Sequence, residues 1–302
     1  MNAPIERYRS WHYGLFIHYS LATYHDREWA TGHEDPATFR PTHLDCAQWA
    51  AAAKDAGMGY GVLTAKHTDG FALWPTKTSA NYTATALRNF RDGRGDLVRE
   101  FLDAFRAAGL GAGLYYCLPG NFSGQHLPSG ATDLHGLAPE AGDDMVGFIR
   151  AQLQELLTGY GPIDVLWIDQ FDNPYTGAAW PALHDFIKSL QPGCVLVANN
   201  CQIAGQTDIF SYEYPWMITR EPHRALPPEG NTIPAEVCDT LVPGWFWRSG
   251  NVPMKSAADT AALIRICRER NANYLLNVGP DRSGRIPDDV QSRLAEIRAM
   301  IS

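Results

Sequence analysis

The sequence predicts an α/β protein that folds as a single (β/α)8 TIM barrel, with allowance for irregular repeats. Short apolar runs rich in Val, Ile, Leu and aromatic residues alternate with longer amphipathic stretches, which is the pattern of repeated βα units. Eight such runs divide the 302 residues into units of about 38, a repeat length typical of α/β barrels with insertions. An open, doubly wound sheet is the alternative architecture.

The eight apolar runs predict eight strands. In chain order they are Tyr13–Tyr19, Gly61–Lys66, Gly111–Cys117, Asp164–Ile168, Val195–Asn199, Asp208–Tyr212, Glu236–Leu241 and Asn273–Val278. Helical patterns lie between many of them and after the last. These are Cys46–Ala56, Asp96–Ala108, Asp144–Tyr160, Trp180–Leu190, Ala257–Asn271 and Pro287–Ile301.

Capping residues support several of these helix boundaries. Asp96 and Asp144 precede helical patterns, where a short acidic side chain accepts free backbone N–H groups. Gly57, Gly109 and Gly161 follow helical patterns, where a left-handed residue ends a helix most easily. The predicted helices therefore carry their own start and stop signals.

Two long segments interrupt the repeat pattern. Pro119–Asp143 follows the third predicted strand and Pro215–Pro234 follows the sixth, and both exceed the usual connectors of about 2–6 residues. The carboxyl ends of barrel strands form the catalytic face, so we expect both segments there. Tolerated surface insertions are the alternative.

Charge and hydropathy exclude several classes of partner. The chain has 33 acidic against 25 basic residues, a net charge of −8 and no basic cluster, which argues against a nucleic-acid partner. No apolar run reaches the roughly 18 residues needed to span a bilayer, and the first residues lack the apolar core of a signal peptide. A cytoplasmic protein without a membrane partner is predicted. The six cysteines lack a Cys-x-x-Cys pair, so we expect buried free thiols.

Polar residues that end the apolar runs are the candidates for chemistry, because the strand ends of a barrel meet at one rim. They are His18, Lys66, His67, Thr68, Asp69, Tyr115, Tyr116, Asp169, Asn199, Asn200, Glu213 and Asn277. Asp169 is the strongest, since four apolar residues precede it and no helix start follows. Glu213 lies between two tyrosines, which suits a general acid, although a salt-bridged rim residue is the alternative. Glu236 is a third candidate carboxylate.

Paired carboxylates and many aromatics point to sugar chemistry. Two carboxyl groups on either side of a sugar are the minimum for glycoside hydrolysis, and a separation of about 5–5.5 Å indicates retention. Aromatic side chains at predicted rim positions could pack on a sugar ring; they are Trp29, Trp74, Trp216, Trp245, Phe246 and Trp247. His12 and His18 are not spaced as metal ligands and no dinucleotide loop occurs, so no metal or cofactor is predicted.

Several motifs in order along the chain carry a family resemblance. They are residues 13–20 (YGLFIHYS), 28–29 (EW), 63–75 (LTAKHTDGFALWP), 113–116 (GLYY), 164–169 (DVLWID), 236–241 (EVCDTL) and 274–280 (YLLNVGP). With these motifs the chain resembles the α-L-fucosidases of glycoside hydrolase family 29. The KHxDGF and LLNVGP segments are the most specific of them.

The resemblance implies a barrel that hydrolyses α-L-fucosides with retention, without metal or cofactor. Asp169 matches the nucleophile. Glu213 is the first choice for the acid/base, similar to the 1,3/1,4-fucosidase branch, and Glu236 is the second. The matched positions also imply a set of sugar-binding residues, to which we add Trp247 from the rim aromatics. That set is His18, Glu28, Trp29, His67, Thr68, Tyr116 and Trp247.

One departure from the family pattern affects specificity. Thr68 replaces the second histidine of the usual His-His pair, so an imidazole contact becomes a hydroxyl contact. A related sugar, such as an L-galactoside or a D-arabinopyranoside, is therefore an alternative substrate, and a fucose-binding pseudoenzyme is an alternative function. We expect residues 1–302 to form one catalytic domain without the C-terminal β-sandwich common in the family. Its site would be completed by its own long loops or by a neighbouring subunit in a homo-oligomer.

Overall fold

The computed structural model describes residues 3–29, 34–78, 83–84, 87–118, 144–171, 177–216 and 225–302. It contains an eight-stranded parallel sheet in the order β5-β4-β3-β2-β1-β8-β7-β6. The strands are β1 Tyr13–Ile17, β2 Tyr60–Lys66, β3 Gly111–Cys117, β4 Val165–Asp169, β5 Val195–Ala198, β6 Phe210–Glu213, β7 Ala235–Thr240 and β8 Ala272–Asn277. A parallel bridge between Val197 and Ile209 brings β5 to β6 and nearly closes the sheet. The predicted TIM barrel is confirmed.

Eight α-helices lie in the described part of the chain. They are α1 Ala3–Trp11, α2 Leu21–Tyr24, α3 Cys46–Asp55, α4 Leu97–Ala107, α5 Met145–Gly159, α6 Trp180–Leu190, α7 Ala257–Glu269 and α8 Asp288–Ile301. All eight predicted strands and all six predicted helices occur, with ends within two residues of the prediction. The helices α1 and α2 are additional to the prediction. None of the helices in the described ranges is long and apolar enough to cross a membrane.

The predicted caps are present. The carboxylates of Asp96 and Asp144 accept the backbone N–H groups of Arg99 at 2.9 Å and Gly147 at 2.8 Å. The three predicted C-terminal glycines, residues 57, 109 and 161, all have left-handed φ angles of 73–76°. The six cysteines are buried and free, as predicted.

Helix α1 covers the amino-terminal end of the barrel. The backbone oxygen of Tyr8 in this helix accepts the side-chain Nδ2 of Asn273 in β8 at 2.8 Å. Arg7 of the same helix forms an ion pair at 2.6 Å with Asp164, the residue before β4. Strands β1, β2, β3, β5, β7 and β8 are buried along their whole lengths, because the helices cover their outer faces. The opposite end of the barrel is therefore the one that can receive a ligand.

The two long segments predicted on the catalytic face are described only in part. Pro119–Asp143 lies outside the described residues, and so do residues 217–224 of Pro215–Pro234. The described parts of the second segment, residues 215–216 and 225–234, contain neither helix nor strand. Their predicted role stays a prediction.

Candidate active site

Asp169 ends β4 with its carboxylate held by three donors. Oδ2 accepts the Tyr115 hydroxyl of β3 at 2.7 Å. Oδ1 accepts the side-chain Nδ2 of Asn199 at 3.1 Å and the backbone N–H of Gln170 at 2.9 Å. Gln170 has a left-handed φ of 60°, a turn that directs its own N–H back to the carboxylate. Donors on both oxygens fix the orientation of this carboxylate at the strand end.

Glu213 ends β6 on the far side of β5 and reaches the same asparagine. Its Oε2 accepts Nδ2 of Asn199 at 3.1 Å and Nδ2 of Asn200 at 3.3 Å. Its backbone N–H donates to the side-chain oxygen of Asn200 at 2.9 Å. The Asn199 amide therefore bridges Asp169 and Glu213.

This shared donor limits the separation of the two carboxylates. Oδ1 of Asp169 and Oε2 of Glu213 each lie 3.1 Å from the same nitrogen, so they cannot be further apart than twice that distance. Inverting glycosidases separate their carboxyl groups by about 6.5–9.5 Å, to leave room for a water, and retaining ones by about 5–5.5 Å. This limit holds for one oxygen of each carboxylate, and it is compatible with the retaining geometry.

Two neutral imidazoles lie beside Tyr115, the donor to Asp169. Nδ1 of His18 is 2.7 Å from Oδ1 of Asn277, and Nδ2 of Asn277 donates to the Trp245 backbone oxygen at 2.6 Å. Because that bond orients the amide, Nδ1 of His18 carries the proton and Nε2 is left as an acceptor. Burial and the neighbouring His67 lower the pKa of His18 well below its ordinary value, and burial lowers the pKa of His67 to about 3.

Tyr115 lies at the centre of an aromatic stack. Its ring is stacked with the ring of His67, with the ring centres 5.4 Å apart and an angle of 18° between the planes. It is also stacked with Trp167, with the centres 5.3 Å apart and an angle of 20°. The ring centres of Trp245 and His18 are 5.0 Å apart, and Phe246 packs edge-to-face against His67 with the ring centres also 5.0 Å apart. Thr68 is buried, and its hydroxyl lies 3.1 Å from Nδ1 of His67. The site thus combines aromatic faces with uncharged hydrogen-bonding groups.

Glu28 connects the segment after β1 to the segment after β7. Its Oε1 accepts the backbone N–H of Trp245 at 2.8 Å, and its Oε2 accepts the Arg248 guanidinium at 2.9 Å. Burial raises the pKa of this carboxyl, against the lowering effects of those two donors. Gly244 has a φ of 103°, which L side chains rarely adopt, and a Cβ there would also crowd Oε2 of Glu28. The backbone conformation therefore favours glycine at this position.

Of the remaining predicted rim aromatics, Trp29 and Trp247 are half-buried, and the Arg282 guanidinium lies 5.7 Å from the centre of the Trp247 ring. Trp74 is instead buried, and its indole donates to Glu155 of α5 at 2.9 Å. The contact of Trp29 and Trp247 with a sugar stays a prediction.

The structure places Tyr116 away from the candidate site. Its hydroxyl donates to Oε1 of Gln152 on α5 at 2.7 Å, and Nζ of Lys66 lies 3.9 Å from its ring centre. Successive residues of a strand point to opposite faces, so Tyr115 faces the barrel interior and Tyr116 faces the helix layer. Tyr116 therefore does not face the candidate site, and the inward-facing tyrosine of this pair is Tyr115.

Glu236 is also remote from the rim. The hydroxyls of Tyr8 and Tyr60 donate to its Oε2, the latter at 2.7 Å, and the Trp167 indole donates to its Oε1 at 2.7 Å. It is 0% exposed and lies at the barrel end that α1 covers. Burial raises its pKa, with the three donors opposing the shift. A carboxyl enclosed in this way cannot exchange a proton with a leaving group, so the alternative acid/base prediction is wrong.

Two charged residues of the second-strand motif are buried beneath the site. Nζ of Lys66 donates to Gln152 at 3.0 Å, and Asp69 accepts the Ser20 hydroxyl at 2.7 Å and the Phe71 N–H at 3.1 Å. Burial lowers the pKa of Lys66 to about 7 and raises that of Asp69 to about 7. These contacts are internal to the protein and hold the motif in place.

Sequence reasoning located Tyr115, Asn199 and Asn277 at strand ends but gave them no role in the site. Their common signal is that each lies within the last residues of an apolar run or directly after it. Among the described residues, no group of three or more His, Cys, Asp or Glu side chains could hold a metal ion.

Comparisons with known proteins agree with one another. Residues 2–301 match the family model described as Alpha-L-fucosidase. The chain is 32% identical to Alpha-L-fucosidase 1 of Arabidopsis thaliana, over 98% of the chain and 60% of that protein. It is 35% identical to Putative alpha-L-fucosidase 1 of Oryza sativa subsp. japonica, over 95% of the chain and 56% of that protein. It therefore spans somewhat more than half the length of these curated relatives.

Solved structures show the same likeness. Alpha-L-fucosidase isoenzyme 1 from Paenibacillus thiaminolyticus superimposes with a TM-score of 0.78 at 30% identity, over 98% of this chain and 74% of that one. The alpha-L-fucosidase AlfC from Lactobacillus casei, in complex with its α-L-fucose product, gives a TM-score of 0.77 over 99% of this chain and 98% of that one. At 24% identity, AlfC supports the fold alone.

Proposed function

The chain belongs to the α-L-fucosidase family, and from this premise we propose that it is a retaining exo-glycosidase. Its substrate is a terminal α-L-fucoside, or a closely related glycoside of L-galactose or D-arabinopyranose. The observation that carries the proposal is the Asn199 amide, which donates at 3.1 Å to both Asp169 and Glu213. That contact brings one oxygen of each carboxylate to the same nitrogen, which supports a close pair of the kind that direct nucleophilic attack requires.

In the first step Asp169 attacks the anomeric carbon and forms a carbon–oxygen ester bond to the sugar. The glycosidic bond breaks at the same centre, and Glu213 transfers its proton to the departing oxygen. In the second step Glu213 removes a proton from water. The resulting hydroxide-like oxygen attacks the anomeric carbon and releases Asp169, so two inversions give net retention.

Recognition of the sugar is proposed for the uncharged groups around this pair. Neutral imidazoles can donate to and accept from hydroxyls, and Nε2 of His18 is free to accept one. His67 and Thr68 are adjacent and in contact, and the buried threonine hydroxyl occupies the position where the family usually has a second histidine. Glu28, Trp29 and Trp247 complete the set of proposed sugar contacts at the rim.

The test is an azide-rescue experiment with an activated aryl α-L-fucoside. We expect Asp169→Gly to lose several orders of magnitude in kcat, because no side chain remains to form the ester. Azide should restore turnover by attacking the vacated face, giving a β-fucosyl azide. Glu213→Gly is the matched control, because azide then attacks the glycosyl-enzyme and should give the α-azide.

Three outcomes contradict the proposal. An Asp169→Gly variant with unchanged rate removes the nucleophile assignment. Identical azide products from both variants remove the division of roles between Asp169 and Glu213. Fucose binding without turnover of aryl α-L-fucoside, α-L-galactoside and β-D-arabinopyranoside identifies a sugar-binding pseudoenzyme instead.

A further inference from the structure

Asn199 lies between the two carboxylates in a position that fixes which way its amide faces. It directly follows β5, which lies between β4, bearing Asp169, and β6, bearing Glu213. Its Nδ2 carries two hydrogens and donates to one carboxylate oxygen on each side. With both hydrogens used in this way, Oδ1 points away from the carboxylate pair.

That amide oxygen is buried and has no hydrogen-bond partner within the part of the chain that the structure describes. Buried polar atoms in folded proteins nearly always have a partner, so such an atom within a candidate active site is expected to serve a ligand. An amide oxygen can only accept, so the ligand group that completes it must carry a hydrogen. In a neutral sugar, that group is a hydroxyl.

We propose that Oδ1 of Asn199 accepts the hydroxyl on carbon 2 of the sugar, and so makes Asn199 a specificity-determining residue. This inference rests on the proposed function. The nucleophile and the acid/base both act at carbon 1, so a side chain bonded to both lies next to the neighbours of that carbon. Carbon 1 is bonded to the glycosidic oxygen and the ring oxygen, neither of which has a hydrogen to donate in the substrate, and to carbon 2, which bears a hydroxyl.

The same amide accompanies the movement of charge during the reaction. The negative charge of Asp169 is consumed as the ester forms, and a negative charge appears on Glu213 as its proton leaves. Because Nδ2 donates to both, a donor is in place for either charge without any movement. Positive charge that develops at carbon 1 makes the neighbouring hydroxyl a stronger donor, so its bond to Oδ1 strengthens in the transition state.

The experiment compares 4-nitrophenyl α-L-fucoside with its 2-deoxy analogue on wild type and on Asn199→Ala. We expect the substitution to reduce kcat/KM for the fucoside by at least about tenfold more than for the 2-deoxy compound, with the difference mainly in kcat. Asn200→Gly is the matched control. In the described part of the chain Asn200 donates to Glu213 but not to Asp169, so its replacement removes a donor from one carboxylate only. Glycine tolerates the left-handed φ of 54° at this position.

The control should reduce kcat/KM for both substrates by the same factor. Equal factors for both substrates in Asn199→Ala would overturn the proposal. If that variant does not fold, as judged by its thermal transition, Asn199→Ser is measured in the same way. If the wild type does not hydrolyse the fucoside, the proposed function itself is refuted. If the wild type is active and Asn199→Ala reduces kcat/KM equally for both substrates, only the proposed bond between Asn199 and the hydroxyl on carbon 2 is refuted.

Discussion

Replacing each of two adjacent tyrosines by phenylalanine tests the inward and outward faces of β3. Tyr115→Phe removes the hydroxyl that donates to Asp169 at 2.7 Å. The ring itself should stay in place, because it is stacked between His67 and Trp167. Tyr116→Phe removes one hydroxyl at the next position, where it donates to Gln152 at 2.7 Å. The two variants therefore lose the same atom on opposite sides of one strand.

The partners of the two hydroxyls set the expected magnitudes. A hydrogen bond to a charged group contributes about 1.5–3 kcal/mol, so loss of orientation of Asp169 should reduce kcat/KM by roughly 10-fold to 150-fold in Tyr115→Phe. The Tyr116 bond joins neutral groups and is worth about 0.5–1.5 kcal/mol. Oε1 of Gln152 keeps the Lys66 ammonium at 3.0 Å as a donor, so the cost in stability should fall at the lower end.

The assay is steady-state hydrolysis of an aryl α-L-fucoside, together with urea unfolding of both variants. Tyr115→Phe should be folded and impaired, and Tyr116→Phe should be slightly less stable and nearly as active as wild type. Equal activity losses in two folded variants, or a larger loss in Tyr116→Phe, would refute the assignment of Tyr115 to the site.

Two further predictions concern stability. The unfolded chain protonates His67 near pH 6.5, whereas burial holds the pKa of the folded residue near 3. Its contribution is therefore present above pH 6.5 and is lost as pH falls, by about 1.4 kcal/mol per pH unit. The difference in the free energy of urea unfolding between wild type and His67→Gln should change with this slope between pH 6 and 4. Asp69, whose pKa is about 7, makes an opposing contribution that is present in both proteins and cancels in the difference. A difference that does not depend on pH would contradict this role of His67. Lys255→Met should lower the free energy of unfolding by about 3–5 kcal/mol. Lys255 is 2% exposed, and its replacement leaves the fully buried Asp239 carboxylate without its cation. A decrease below about 1 kcal/mol would show that the ion pair contributes little to stability.

The strands were predictable because parallel strands covered by helices are nearly continuous apolar runs. This same property hid the direction of the side chains on β3. Tyr115 and Tyr116 are both fully buried, so no alternation of polar and apolar residues distinguishes the barrel interior from the helix layer. A strand end can therefore be located to within two residues while the inward-facing residue at that end remains ambiguous.

Glu236 illustrates a second limit of sequence reasoning. A carboxylate inside a barrel strand can face either end of the barrel, and which end is open depends on what covers the other. Here the covering element is α1, which the sequence analysis did not predict, and its Tyr8 is one of the three donors that enclose Glu236. Asn199, in contrast, was found at its strand end. Its importance comes from partners 30 residues earlier and 14 residues later in the chain, a proximity that only the fold creates.

The junction between β5 and β6 has a consequence for how heat would inactivate the protein. Every other pair of neighbouring strands shares a ladder of residues. In the described chain this junction has instead the Val197–Ile209 bridge, backbone bonds from Asp208 to Leu196 and from Ser211 to Cys201, and side-chain bonds that link Thr207 and Asp208 to β5. Asp169 belongs to β4, which is laddered on both sides, whereas Glu213 stands across the weaker joint. Warming should therefore loosen Glu213, the proposed proton donor, from its asparagines while Asp169, the proposed nucleophile, is still held, and turnover would be lost before the barrel unfolds.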